Sequence, residues 1–240
     1  VTAALMLGGL VSLQRYPIAA GCLFGMMSYK PQFGILIPLA LAAGGYWVAF
    51  AAAAIVVVGF AITSYLAVGG EAWTMFAAQF ETDWTTQSEI LWWKSVTVYQ
   101  MVRLIGFDAG PALVAQLAAS LVAAGLVTHI WRRPYPFEVK AAAIAIGTLL
   151  ATPRAMMYDL ALLLIPFVFV FARTCRKAGL TDYIFLSLIW LCPLLGFFIF
   201  EAAKFQVWPI LLWPAMLFCF FHYGRLPPGQ MNQTPAPARP

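Results

Sequence analysis

Residues 151–159 read Ala-Thr-Pro-Arg-Ala-Met-Met-Tyr-Asp, which sets Arg154, Tyr158 and Asp159 between two uncharged arms, 141–150 and 160–171. A charge at membrane depth costs several kcal/mol unless it is paired or faces a watery cavity, so these residues are candidates for chemistry. A second stretch repeats the design. Ser28-Tyr29-Lys30-Pro31-Gln32 separates the apolar arms 17–27 and 33–43, again with a cation beside a proline. Proline has no N–H to donate and clashes with the preceding turn, so both stretches predict non-helical links between short helices. Two cations in one low-dielectric recess would stabilise a phosphate or pyrophosphate leaving group far more than water does. Lys30, Gln32, Arg154, Tyr158 and Asp159 therefore form the candidate site, joined by Glu71 and Trp73 from the following outer loop. Tyr158 and Asp159 would orient a hydroxyl, and either is a possible base. Two plainer readings stand beside this one: Asp159 as a structural partner of Arg154, and Lys30 snorkelling to the interface.

The composition limits what such a site can serve. Of the 240 residues 63% are hydrophobic and 10% charged, which is integral-membrane chemistry. The net charge of +5 is scattered over loops and does not form the basic, aromatic-interleaved stripe of a nucleic-acid binder. Cys22, Cys175, Cys192 and Cys219 follow no metal or redox spacing and read as packed thiols. Glu81 and Asp83 are spaced like ligands for a hard cation but lack further oxygens nearby, so they read as a solvated face. No metal site and no cofactor is expected. The chain opens on Val1 without a basic n-region, which reads as a C-terminal fragment and not as a signal peptide.

The elements follow from hydropathy and loop charge. An apolar helix at 1–13 ends at Arg15, and the arms 17–29 and 33–43 would rise roughly 20 Å and 17 Å, too short to cross a core of about 30 Å. Gly21 and Gly25 make a G-x-x-x-G spacing for close helix packing. A full span is predicted at 46–68, a tryptophan-rich, lysine-poor loop at 69–108, and within it a short interfacial helix near Arg103 with Val98, Met101, Val102 and Ile105 on one side. Spans at 110–130, 183–200 and 207–223 complete the set, with a short turn at 201–206. Arg132, Arg133 and Lys140, then Arg173, Arg176 and Lys177, mark cytoplasmic loops by the positive-inside rule, so both proline links point outward. The membrane unit is expected over 1–225, and the proline-rich stretch 226–240 as a disordered cytoplasmic tail. The predicted fold class is all-α, a polytopic bundle with short broken helices around an outward-facing cavity.

Three strings, P-I-A-A-G-C-L-F-G-M-M-S-Y-K-P-Q at 17–32, G-G-E-A-W at 69–73 and A-T-P-R-A-M-M-Y-D-L-A-L-L-L at 151–164, resemble glycosyltransferase family 87. The family is similar to the GT-C mannosyltransferases of bacterial envelopes that depend on polyprenol-phosphate-mannose. The resemblance implies inverting transfer of a hexose, mannose first, from a polyprenyl-phosphate carrier to an envelope glycolipid or glycan. It places the protein in the bacterial cytoplasmic membrane with its active face outward. Lys30 and Gln32 match the family's K-P-Q motif, and Tyr158 and Asp159 stand where some members carry histidines. Lys30 and Arg154 would hold the carrier phosphate, and the helix near Arg103 would guide the lipid. The family's catalytic carboxylate belongs to an earlier outer loop and is expected upstream of residue 1. The partners implied are membrane lipids, the lipid-linked donor and a lipid or glycan acceptor. Two other readings fit the broken helices: a transporter or lipid flippase, and a purely structural membrane subunit.

Overall fold

In the computed structural model of the chain the described residues are 1–82, 95–174 and 179–224. Among them no strand occurs, and the helices Trp47–Ala78, Ala109–Arg132 and Leu180–Ala203 are long and apolar enough to cross a membrane. The protein is an all-α membrane helix bundle. Several expectations lie outside the described residues: the side chain of Glu81, the acids Asp83 and Glu89, Lys94, three of the loop tryptophans, Cys175, Arg176, Lys177 and the tail.

The order is α1 (Thr2–Ser12), α2 (Pro17–Met26), a tight turn at Met27–Tyr29, α3 (Pro31–Gly34), α4 (Leu36–Ala43), α5 (Trp47–Thr82), α6 (Val98–Leu104), α7 (Ala109–Arg132) and α8 (Phe137–Ala151). A tight turn at Met157–Leu163, α9 (Leu164–Thr174), α10 (Leu180–Ala203), α11 (Trp208–Phe218) and a widened last turn at Cys219–Tyr223 follow. Proline sets the breaks. Pro17 and Pro31 each open a helix, where a missing N–H costs nothing, and each pushes the residue before it out of helical geometry: Tyr16 at φ −133, ψ 68 and Lys30 at φ −129, ψ 76. Pro153 does the same to Thr152, which is extended at φ −77, ψ 130 and ends α8.

Helix α8 is the centre of the bundle. Thirteen of its 15 residues are buried, as an apolar helix demands when other helices surround it. It leads straight into the 152–156 link. The other broken hairpin, α2 to α4, is clamped on α5 through the predicted glycines. A Cβ on Gly21 would strike the Ala49 carbonyl and lie 2.6 Å from Ala52 Cβ, and one on Gly25 would lie 2.6 Å from Val56 Cβ. Only a bare backbone lets α2 approach so closely. The pairing rises in step, 21 with 49 and 25 with 53, so α2 and α5 run parallel.

Both hairpins start from the same end of the bundle. The α4 to α5 turn reaches Trp131, where a Cβ on Gly44 would lie 3.0 Å from the indole and the Tyr46 ring centroid stands 5.9 Å away. The start of α8 is held there too: Trp131 Nε1 donates to the Lys140 carbonyl at 3.1 Å, and Lys140 Nζ donates to the Trp131 carbonyl at 3.2 Å.

Two boundaries and one buried face differ from the sequence reading. The helix beginning near residue 46 does not end at 68: it resumes after a break at Gly69 and runs to Thr82, so the loop is shorter than expected. Helix α6 buries Val98, Tyr99 and Gln100, whereas Ile105 is exposed, so its inward side is not the apolar stripe. The cause is polar: Thr97 Oγ1 accepts from Gln100 N, and Gln116 Oε1 accepts from Tyr99 N. Helix α10 runs on to Ala203, where Lys204 in the left-handed region (φ 51) stops it and pairs with Glu201 at 3.1 Å.

Candidate functional site

The two proline links meet. Lys30 Nζ lies 2.8 Å from Asp159 Oδ1, joining the tip of the first hairpin to the tip of the second. The Asp159 side chain is 4% exposed and that of Lys30 is 23% exposed. The second carboxylate oxygen is occupied as well, since Met156 N donates to Asp159 Oδ2 at 3.0 Å. Asp159 therefore partners Lys30, and the simpler expectation of an Arg154–Asp159 pair gives way to a pair between hairpins. Arg154 is not separated from the site by this; it sits in the same link, its N–H bonded to Thr152 Oγ1 at 3.3 Å.

Aromatic rings flank the ammonium. Lys30 Nζ stands 4.5 Å from the Tyr158 ring centroid and 5.2 Å from that of Phe33, distances at which a ring face attracts a cation. The hydrogen bond and negative charge of Asp159, with the Tyr158 ring beside them, hold the ammonium in place. Snorkelling is thus not what Lys30 does. Tyr158 itself is exposed, and Lys30 keeps some contact with solvent.

Helix registers give the depth. Gly25 is level with Ala53 to Val56, so Lys30 is level with the stretch near residue 59. From there to the Gly69 break α5 climbs ~14 Å further, and the whole rise from Trp47 to Val68 is ~33 Å. An independent register agrees. Gln116 Nε2 donates to the Leu150 carbonyl at 3.1 Å and Ser120 Oγ to the Ala151 carbonyl at 2.6 Å, and α7 continues ~14 Å beyond that level to Ala109. The pair is recessed near mid-depth.

Sequence reasoning missed what holds the second tip. Gln116 is buried and ties three elements: it accepts from Tyr99 N at the start of α6 and donates to the end of α8. The strand-like segment before α6 adds a strap, with Val96 N donating to the Ala155 carbonyl at 2.9 Å and Ser95 bridged to Met156. A lone carboxamide in an apolar span was the signal for Gln116. Nothing in the sequence signals the strap, whose pairing is made by backbone.

The remaining candidates are placed less tightly. Gln32 is half-buried on α3, two residues past Lys30. Glu71 and Trp73 are exposed on the resumed part of α5, and two steps of a helix turn them roughly 160° apart, so they face opposite ways. Arg103 closes its own helix end, donating to the Phe107 carbonyl at 3.0 Å. What unites the site is a compensated, partly exposed cation, to which an anionic group could add as a further partner.

The family model for glycosyltransferase family 87 matches residues 1–153, more than half of the chain. It takes in Lys30 and Gln32 and ends at Pro153, one residue before Arg154. Comparison with curated proteins and with solved structures gives no match.

Proposed function

Since the chain belongs to glycosyltransferase family 87, we propose that its recessed ion pair serves an integral membrane hexosyltransferase that takes its sugar from a polyprenyl-phosphate carrier. In this reading Lys30 and Arg154 receive the carrier phosphate. Gln32, Tyr158 and Asp159 orient the sugar or the acceptor hydroxyl. The acceptor oxygen bonds to the anomeric carbon as the bond from that carbon to the phosphate oxygen breaks; the hydroxyl proton passes to a carboxylate base, and the electron pair of the broken bond leaves with the phosphate. Its growing charge is met by the ammonium, which Asp159 holds in position. Mannose is the first choice of sugar and an envelope glycolipid or glycan the acceptor.

The single observation that carries the proposal is the Lys30–Asp159 pair at the meeting point of two half-length hairpins. Such depth has a use. A phosphate drawn down from the headgroup plane sheds water, and fixed cations replace that water where they act most strongly. The basic residues Arg15, Arg132 and Arg133 cluster toward the end from which both hairpins start, which supports a cytoplasmic placement of that end and an outward-facing cavity in the bacterial inner membrane.

The transporter reading has weaker support. Inverted repeats bring broken helices in from opposite faces, whereas both hairpins here start beside Trp131. Membranes containing the full-length protein, given a radiolabelled polyprenyl-phosphate sugar and envelope acceptors, are expected to yield acceptor-dependent labelled product. Label that crosses the membrane without a new glycosidic bond would replace the proposal with transport.

A further inference from the structure

Helix α5 changes character at one residue. From Trp47 to Val68 it is apolar on every side, and scarcely any of it is buried in protein: 6% of its most apolar stretch. Gly69 then adopts φ 79, ψ 172, a conformation open in practice to glycine alone. Beyond it the helix is two-sided. Helical spacing groups Ala72, Trp73, Phe76 and Ala77 along one side, and Glu71 and Thr74 along the other, with Met75 the one large apolar residue beside them.

The break comes where the membrane should end. Trp47 to Val68 rises ~33 Å, close to the thickness of a hydrocarbon core. A helix apolar all round suits a membrane span, and one split into two faces suits a boundary. We infer that residues 70–82 form an amphipathic helix lying along the lipid–water boundary at the end of the bundle opposite Trp131. Its occupant on the apolar side is the bilayer interface itself. Trp73 is then an anchor at headgroup level, its ring turned to lipid, and Glu71 faces water. The proposal does not depend on the enzyme reading, and it fixes the membrane boundary ~14 Å beyond the Lys30–Asp159 pair.

The test uses the full-length protein with Cys22, Cys175, Cys192 and Cys219 replaced, reconstituted into phosphatidylcholine nanodiscs. Single cysteines are placed by Glu71→Cys, Thr74→Cys, Ala72→Cys, Trp73→Cys and Ala77→Cys, and each is spin-labelled. Collision rates with dissolved oxygen and with a water-soluble nickel chelate are then measured. Labels at 72, 73 and 77 are expected to favour oxygen over nickel about fivefold more than labels at 71 and 74, as for a helix half sunk in the interface. Equal, nickel-rich values at all five would show a helix standing clear of the membrane and overturn the inference. Equal, oxygen-rich values would show the span running straight on, and overturn it too. Immobilised spectra shielded from both reagents at 73 and 77 would assign that side to a protein partner instead.

Discussion

At the scale of single residues the account rests on Lys30 and Asp159. Removing one partner leaves the other charged and poorly solvated, so Lys30→Ala and Asp159→Asn should each cost about 2 kcal/mol, below the figure for a fully buried pair because the lysine keeps some contact with solvent. A double-mutant cycle in unfolding measurements should return a coupling of about 1 kcal/mol; additive single effects would mean that the pair contributes nothing. Lys30 was legible in the sequence because a cation before Pro-Gln between two apolar arms has few structural uses. Its partner was not. Arg154 is the nearer cation in sequence, and only the fold brings the other hairpin within reach.

At the scale of elements, two devices hold the tips in place. The first is the bare-backbone contact of α2 on α5. Gly25→Leu would drive a side chain into Val56 and the Ala53 carbonyl, at a cost of about 1–3 kcal/mol, and would push Lys30 out of register. Thermal unfolding of Gly25→Leu beside an exposed control such as Gly59→Leu should show the loss in the first alone. The second device is Gln116. Gln116→Leu forfeits its bonds to Tyr99 N and to the α8 carboxyl end, about 1 kcal/mol for each, and frees the 152–156 link to shift. Under the proposed function this variant should lower turnover more than Gln116→Glu, which still accepts from Tyr99 N; equal activity in both and in wild type would show that the link needs no such support. The G-x-x-x-G clamp could be read from two letters. The Gln116 brace and the Val96–Ala155 strap could not, because both act on backbone groups far away in sequence.

At the scale of the whole molecule, two half-length hairpins rise from one end and close on each other near mid-depth. The short arms, the proline breaks and the all-helical class follow directly from hydropathy and from proline's missing donor. The continuation of helix past 68 did not, because a glycine with positive φ interrupts a helix without ending it, and composition cannot separate those outcomes. Neither could the sequence show that Glu71 and Trp73, two residues apart, would turn away from each other on a resumed helix. The family match covers the first hairpin and stops short of Arg154, so the second half of the site stands on geometry: the 2.8 Å contact that brings Asp159 to Lys30. The measurement that bears most directly on the central claim is sugar transfer from a polyprenyl-phosphate donor by the purified full-length protein carrying Lys30→Ala or Arg154→Ala, each checked for wild-type thermal unfolding in the same detergent or for a defined loss. The account predicts at least a roughly hundredfold fall in turnover for both, the scale on which a transition-state charge contact is lost, and wild-type turnover in both would contradict it.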